Sequence, residues 1–339
     1  MPIEKIVILV DYRMQFYSSI KISTGGMDLE CIKKNFLVHN IVCEIIPYSE
    51  FCLDYSWDGC YVLYQSSEDR GLIYKSYISD ILMSIKVAGG ILLPEFDYFF
   101  AHENKSFQAF LSKGISTEIL NVPNSQVYGT FEDLNKNIDK ILFPQVLKLA
   151  NGCQSKGVTL VNNKDECLKK AKKFTSTFNF SDFLRFKYKT YFKKGYIKES
   201  LNKNKIVLQE FIPNLEGDYK VLVYGNKAFV LTRKSKKNDF RASGSGLFDF
   251  DIDVPQAVLD SALFLKEFFN CPFISIDIAY DKINKQCHLI EFQFLMFGTY
   301  TVEKSPHYFE HQANSWILRE GESNLEDVFV TSLVEYLRK

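Results

Sequence analysis

The eight cysteines, at 31, 43, 52, 60, 153, 167, 271 and 287, form no C-x-x-C pair. That spacing lacks the usual zinc and dithiol redox signatures, and the thiols read as reduced core residues of a cytoplasmic protein. The five histidines have no metal-ligand spacing, so residues such as His102 and His288 are expected to be structural or surface groups. No apolar run approaches 18 residues, since even "ILLPEFDYFF" is broken by proline and acids, and no transmembrane helix is expected. The start, "MPIEKIVILVDYR", carries Glu4 and reaches Asp11 after a short apolar run, which reads as a first strand and not a signal peptide. Lys plus Arg equals Asp plus Glu at 41 each, so net charge predicts neither a nucleic acid nor an anionic membrane as partner. No Ser-His-Asp pattern, internal repeat or low-complexity linker is present.

What is present is ordinary for a chain that buries a sizeable core: 339 residues, 46% hydrophobic and 24% charged. That length suggests two or three domains. Residues 1–100 alternate strand and helix signals, "KIVILV", "DLECIKKNFL", "IVCEII", "CYVLYQ", "GLIYKSYISDILMSIKVA" and "ILLP", the pattern of a small doubly wound parallel α/β domain. From about 101 the order becomes α+β. A segment at 101–205 holds helices around the strands "FPQVLKLA" and "GVTLV", with a helix after Asn162 or Asn163. A segment at 206–339 holds "KIVLQEFI", a hairpin turning at Gly225-Asn226, a helix at 254–269, the strands "FISIDIAYD" and "QCHLIEFQF", and a last helix at 323–338.

Four stretches carry chemistry. In "LKLANGCQSKGVTL", Gly152 and Gly157 have P-loop spacing, but Val158-Thr159 replace the Lys-Ser/Thr pair, so the loop joins two strands. Such a loop, Ser155 included, can turn backbone N–H groups to phosphates, with Lys148 as a point charge. An exposed hairpin with turn glycines is the alternative. The strand end Gln209, Glu210, Phe211, Ile212 offers backbone groups to an adenine edge, with Asp218 placed for ribose hydroxyls. An edge strand with a solvated Glu210 is the alternative there. Arg233 and Arg241 suit phosphate oxygens, or else belong to a solvated basic loop. In "SIDIAYDKINKQCHLIEFQF", Asp277 on one strand meets Glu291 and Gln293 on the next. Two carboxylates about 4 Å apart repel by roughly 4 kcal/mol at an effective dielectric of 20. A hard divalent cation reverses that sign, and Mg²⁺ takes such oxygen ligands. A polar strand face near solvent is the alternative.

In order and spacing, residues 101–305 resemble the ATP-grasp superfamily, whose members include glutathione synthetase and D-alanine–D-alanine ligase. The resemblance implies an ATP-grasp fold behind the N-terminal domain. It assigns Lys105 and Lys148 to ATP and the backbone of Gln209 to Ile212 to adenine. Asp218 goes to ribose, Arg233 and Arg241 to phosphates, and Asp277, Glu291 and Gln293 to Mg²⁺, with Mn²⁺ as substitute. Gln293 stands where the family has Asn, Lys220 where Arg is frequent, and Ser243 closes a "FRAS" where Asn is usual. The implied reaction is ATP-dependent ligation of a small-molecule carboxylate to an amine through an acyl phosphate, with Arg241 facing the transferred phosphoryl. Amino acids, peptides and sugar acids are the allowed substrates. A phosphotransferase and a nucleotide-binding regulator are the rival classes. Gln65, Ser66, Ser67, Arg70 and Tyr74, or the stretch "FGTYTVEKSPHYF", are candidates for acceptor contacts. "FSDFLRFKYKTYFKKGYIK" has the aromatic and basic mix of single-strand binders, but is expected to be a partly ordered insertion. The oligomeric state is left open, a homodimer among the options.

Overall fold

The structure, a computed structural model, describes residues 3–21, 25–151, 157–236, 241–242 and 246–339. Two compact units result: Met1–His102, Thr117–Asn121 and Leu215–Lys339 form the first, Glu103–Ser116 and Val122–Asn214 the second.

The first unit begins with a four-stranded parallel sheet in the order Val42–Pro47, Lys5–Val10, Tyr61–Leu63, Ile91–Leu93. The first strand is apolar on both faces, as a sheet covered on both sides requires. Ile6, Ile8 and Val10 pack with Ile32 and Phe36 of the helix Leu29–Val38 and with Phe329 of the helix Leu325–Leu337. Val7 and Leu9 face the other way, toward Ile78, Leu82 and Ile85 of the helix Ile73–Val87. This is the doubly wound arrangement that the alternating pattern implied. The Asp28 side chain caps the helix Leu29–Val38 by accepting from the N–H groups of Glu30 and Cys31.

The larger sheet of this unit runs Ser315–Glu320, His307–Gln312, Lys227–Lys234, Gly217–Tyr224, Phe273–Asp281, Gln286–Gln293, Leu120–Asn121, with Phe248–Asp249 beside Lys227–Lys234. The helix Gln256–Phe268 covers one face, against Gly217–Tyr224 and Phe273–Asp281. On the opposite face Leu222, Tyr224, Phe229 and Phe273 join the core under the parallel sheet. The hairpin at Gly225-Asn226 forms as expected, Gly225 having φ +58°. The hairpin His307–Gln312 to Ser315–Glu320 was not foreseen. It turns on Ala313 and Asn314, both at positive φ, and Ala carries no turn signal in the sequence.

The second unit holds a four-stranded antiparallel sheet, Ser125–Tyr128, Ile206–Glu210, Gln145–Leu149, Val158–Val161. Leu147, Val161, Ile206 and Leu208 pack with Leu134 of the helix Phe131–Asn137 and with Cys167 and Ala171 of the helix Lys164–Thr175. Asn163, not Asn162, caps that last helix. Of the aromatic and basic stretch, Phe180–Phe192 is a helix, which buries Phe186 and leaves Phe180, Leu184, Tyr188, Tyr191 and Phe192 exposed, and 193–198 belongs to no helix or strand.

Gly157 restarts the chain in the strand pair, with its carbonyl accepting from Leu149 N–H at 2.8 Å. Its φ is +76°, and an added Cβ would stand 2.6 Å from the Leu149 side chain. Gly157→Ala should therefore destabilise this unit by about 1–2 kcal/mol, read as a lower urea midpoint with an unchanged slope. An unaltered midpoint would show that the turn has other conformations open to it.

Candidate active site

The larger sheet concentrates polar groups at one end of one face. Asp218 is paired with Arg233 across adjacent strands, and Lys220 with Asp277. Asp277 is in turn opposite Glu291, and Ser275 opposite Gln293. Positions two apart share a face, so Asp218, Lys220, Asp277, Glu291, Gln293 and Arg233 lie together on the side away from the helix Gln256–Phe268.

One local irregularity makes this possible. Asp277 pairs with Glu291 but the next residue, Ile278, pairs with Leu289, so Ile290 is an extra residue in the second strand. Without that bulge, the continuing register would set Glu291 opposite Ile276, on the helix-covered face. Leu289 and Phe292 stay buried with Ile278 and Ile276. The bulge thus lets a strand with a buried apolar set show two oxygen-bearing side chains to Asp277. It was not visible in the sequence, where Ile290 looks like any other strand residue.

Arg233 occupies the centre of the cluster. Its Nε donates to Asp218 Oδ1 at 2.6 Å, and its Nη2 lies 2.7 Å from Asp277 Oδ2. All three side chains are mostly buried, at 12%, 9% and 16% exposure for Arg233, Asp218 and Asp277. Burial lifts the Asp218 carboxyl to about 6; Arg233 pulls it down, while the charge on Asp277 adds to the rise. Arg233, expected to line phosphates, thus braces the expected ribose and metal carboxylates.

Among the described residues no three His, Cys, Asp or Glu side chains are grouped to hold a metal ion. The candidate set here is two carboxylates and an amide. Asp277, Glu291 and Gln293 supply only hard oxygen donors, which fits a Mg²⁺ that takes its remaining ligands from water and phosphate. The bulged hairpin puts the first two directly opposite one another.

In the second unit, Lys148 is largely buried in the middle of the sheet, between Val207 and Val158. Lys105 opens the helix Lys105–Leu111, capped by Asn104, and its N–H donates to Ala150 O at 2.8 Å. That hydrogen bond anchors the Lys105 backbone two residues beyond Lys148. The strand carrying Gln209 and Glu210 is interior, not an edge, and Glu210 itself is exposed. Its N–H is taken by Asn124 O at 2.9 Å, while Phe211 and Ile212 lie beyond the strand's end. Gly152, Ser155 and Ser243 lie outside the described residues. Arg241 is described and partly buried.

The proposed acceptor residues have structural partners. Gln65 Oε1 accepts from Tyr17 N–H at 2.6 Å, and Ser66 Oγ is 3.0 Å from His102 Nδ1. Tyr74 packs against Tyr12, Tyr48 and Tyr77. His102 and His288 are both buried, the latter 3.1 Å from Asn121 Nδ2, as structural residues should be.

Residues 102–246 match the RimK-like ATP-grasp domain. No curated protein matches the chain by sequence. Its fold is similar to that of D-cycloserine synthetase DcsG, with a TM-score of 0.55 at 10% identity over 98% of this chain and 99% of that one. It is also similar to ATP-grasp ligase PsnB complexed with minimal precursor, TM-score 0.52, 13% identity, over 99% and 100% of the two chains. A third likeness is to macrocyclase MdnC from Microcystis aeruginosa MRC, bound with precursor peptide MdnA, TM-score 0.52, 12% identity, over 98% and 99%. The chain has the ATP-grasp fold, with an N-terminal parallel α/β sheet ahead of the segment that matches the RimK-like ATP-grasp domain.

Asp218 makes a pH prediction. A carboxyl whose folded pKa lies above its unfolded value near 4 contributes stability that is complete below that value and lost as pH rises through the folded pKa. With Asp218 at about 6, the stability of the wild type relative to Asp218→Asn should fall between about pH 4 and pH 6.5. Urea unfolding across that range measures it, and a flat difference would remove the assigned shift.

Proposed function

We propose that the protein is an ATP-dependent carboxylate–amine ligase working through an acyl phosphate. The observation that carries this reading is the Asp277–Glu291 pair, with Gln293 beside it on the same face, next to the Arg233–Asp218 pair. A carboxylate oxygen attacks the γ-phosphorus of ATP, and ADP leaves. An amine then attacks the acyl phosphate carbon, phosphate leaves, and the amine's proton passes to solvent or phosphate. No protein nucleophile is required.

The chain's own residues have the following roles. Lys105 and Lys148 bind the ATP phosphates, with backbone groups of the loop containing Gly152, Ser155 and Gly157. The backbone of Gln209, Glu210, Phe211 and Ile212 reads adenine, and Asp218 takes ribose hydroxyls. Asp277, Glu291 and Gln293 hold Mg²⁺, or Mn²⁺ in its place, which when bound neutralises phosphate charge as phosphoryl transfer requires. Arg233 keeps Asp218 and Asp277 oriented, and Arg241 faces the transferred phosphoryl and the acyl oxyanion. The ATP requirement and the free cysteines among the described residues favour a cytoplasmic setting. One of the similar structures holds a precursor peptide and another a minimal precursor, which supports including peptides with amino acids and sugar acids among the carboxylates. No nucleic-acid partner is proposed.

ADP release with Mg·ATP across a panel of carboxylates, with and without amines, tests the reaction class. Amine-dependent release is expected. Release that ignores amines would instead indicate a phosphotransferase. Glu291→Ala should lower turnover at least about 100-fold, roughly 2.7 kcal/mol of barrier, with an unchanged circular dichroism spectrum. Wild-type turnover in that variant would dismiss the metal assignment.

A further inference from the structure

The parallel sheet has a topological switch point at the C-terminal ends of Lys5–Val10 and Tyr61–Leu63. After the first strand the chain enters the helix Leu29–Val38 on one face, and after Tyr61–Leu63 it enters Ile73–Val87 on the other. Ligands of open α/β sheets bind in the crevice that such a divergence leaves.

The loop at this point is built around Asp11, which is only 2% exposed. Its Oδ1 accepts from the N–H groups of Arg13 and Gln15 at 2.8 and 3.0 Å. Its Oδ2 accepts from Arg13 Nε and Nη2 at 2.8 and 2.7 Å. The guanidinium is further held by Tyr12 and Tyr17, whose ring centroids lie 5.4 and 5.1 Å away. Arg13 is nevertheless 53% exposed. A guanidinium has five N–H donors. Asp11 takes two, and the other three have no protein partner among the described residues.

The loop is also tied to the strand of the carboxylate pair. Ser19–Ile20 pairs in parallel with Phe297–Gly298, just beyond Gln293. Met296 N–H donates to Ser18 O at 2.7 Å, and Thr299 donates to Ile20 O through both N–H and Oγ1, at 3.1 and 2.8 Å. Tyr17 N–H on Gln65 joins the two switch-point loops.

We propose that Arg13 binds an anionic group of the substrate, so that the ligase selects a carboxylate bearing a second carboxylate or a phosphate. This rests on the ligase reading of the same unit. Asp11, Tyr12 and Tyr17 hold the guanidinium in place before the anion arrives, so little side-chain ordering remains for binding to supply. Asp11 is a positioning residue in this scheme and Arg13 the specificity residue.

The test is calorimetric titration without nucleotide, using glutarate, butyrate and inorganic phosphate on wild type, Arg13→Met and Arg13→Lys. Glutarate or phosphate should bind the wild type, Arg13→Met should weaken that binding at least tenfold, and Arg13→Lys should fall between. Butyrate should not distinguish the three proteins. Tighter binding of glutarate assigns a second carboxylate, and tighter binding of phosphate assigns a phosphate. Equal affinities in wild type and Arg13→Met, at matching thermal midpoints, would overturn the proposal, as would no binding of either dianion to the wild type. The titration contains no ATP and measures no turnover, so its result and that of the ADP assay are separable.

Discussion

One extra residue, Ile290, decides what the larger sheet can do. Strand residues alternate between faces, and the face covered by the helix Gln256–Phe268 must be apolar to be stable. Leu289 and Phe292 meet that demand at positions three apart, which a regular strand cannot do on one face. The bulge absorbs the odd residue, and the same shift brings Glu291 opposite Asp277. Packing and site chemistry are therefore solved by one local change in pairing.

The resulting cluster is densely charged: Asp218, Asp277 and Glu291 stand on the same face as Arg233 and Lys220. Burial pushes Asp218 upward against the pull of Arg233, and the charge on Asp277 adds to the rise. A buried ion pair of this kind is weak evidence for stability, because desolvation offsets much of the attraction. Its value lies in orientation, since the guanidinium fixes two carboxylates that belong to different strands.

Much of this was legible in the sequence because it rests on short-range rules. The period-two runs, the Gly225-Asn226 turn and the periodicity of Ile73–Val87 each express a local constraint, and each appears in the structure. The hairpin carrying Asp277, Glu291 and Gln293 was legible from the pattern of its two strands, while the facing of Asp277 and Glu291 rests on the bulge at Ile290. What was not legible depends on pairing partners. The bulge is defined only by what lies opposite Ile290, and the Ala313-Asn314 turn only by the strands it joins. The helix Phe180–Phe192, with Phe186 buried and most of its other aromatics exposed, was not legible from composition.

The loop of Asp11 and Arg13 shows the same division more sharply. In sequence, "VDYRMQFY" is a strand followed by mixed polar and aromatic residues, with no recognisable motif. In space, one carboxylate holds two backbone N–H groups and one guanidinium, and a short parallel pairing fastens the loop to the segment after Gln293. Acceptor recognition and phosphoryl transfer would then share one rigid frame, because the strand that carries Glu291 continues into the residues that hold the loop. A substrate carboxylate placed by its distal anion would be aligned by the same backbone that aligns the cation ligands. Such alignment lowers a barrier through positioning, without demanding a stronger nucleophile.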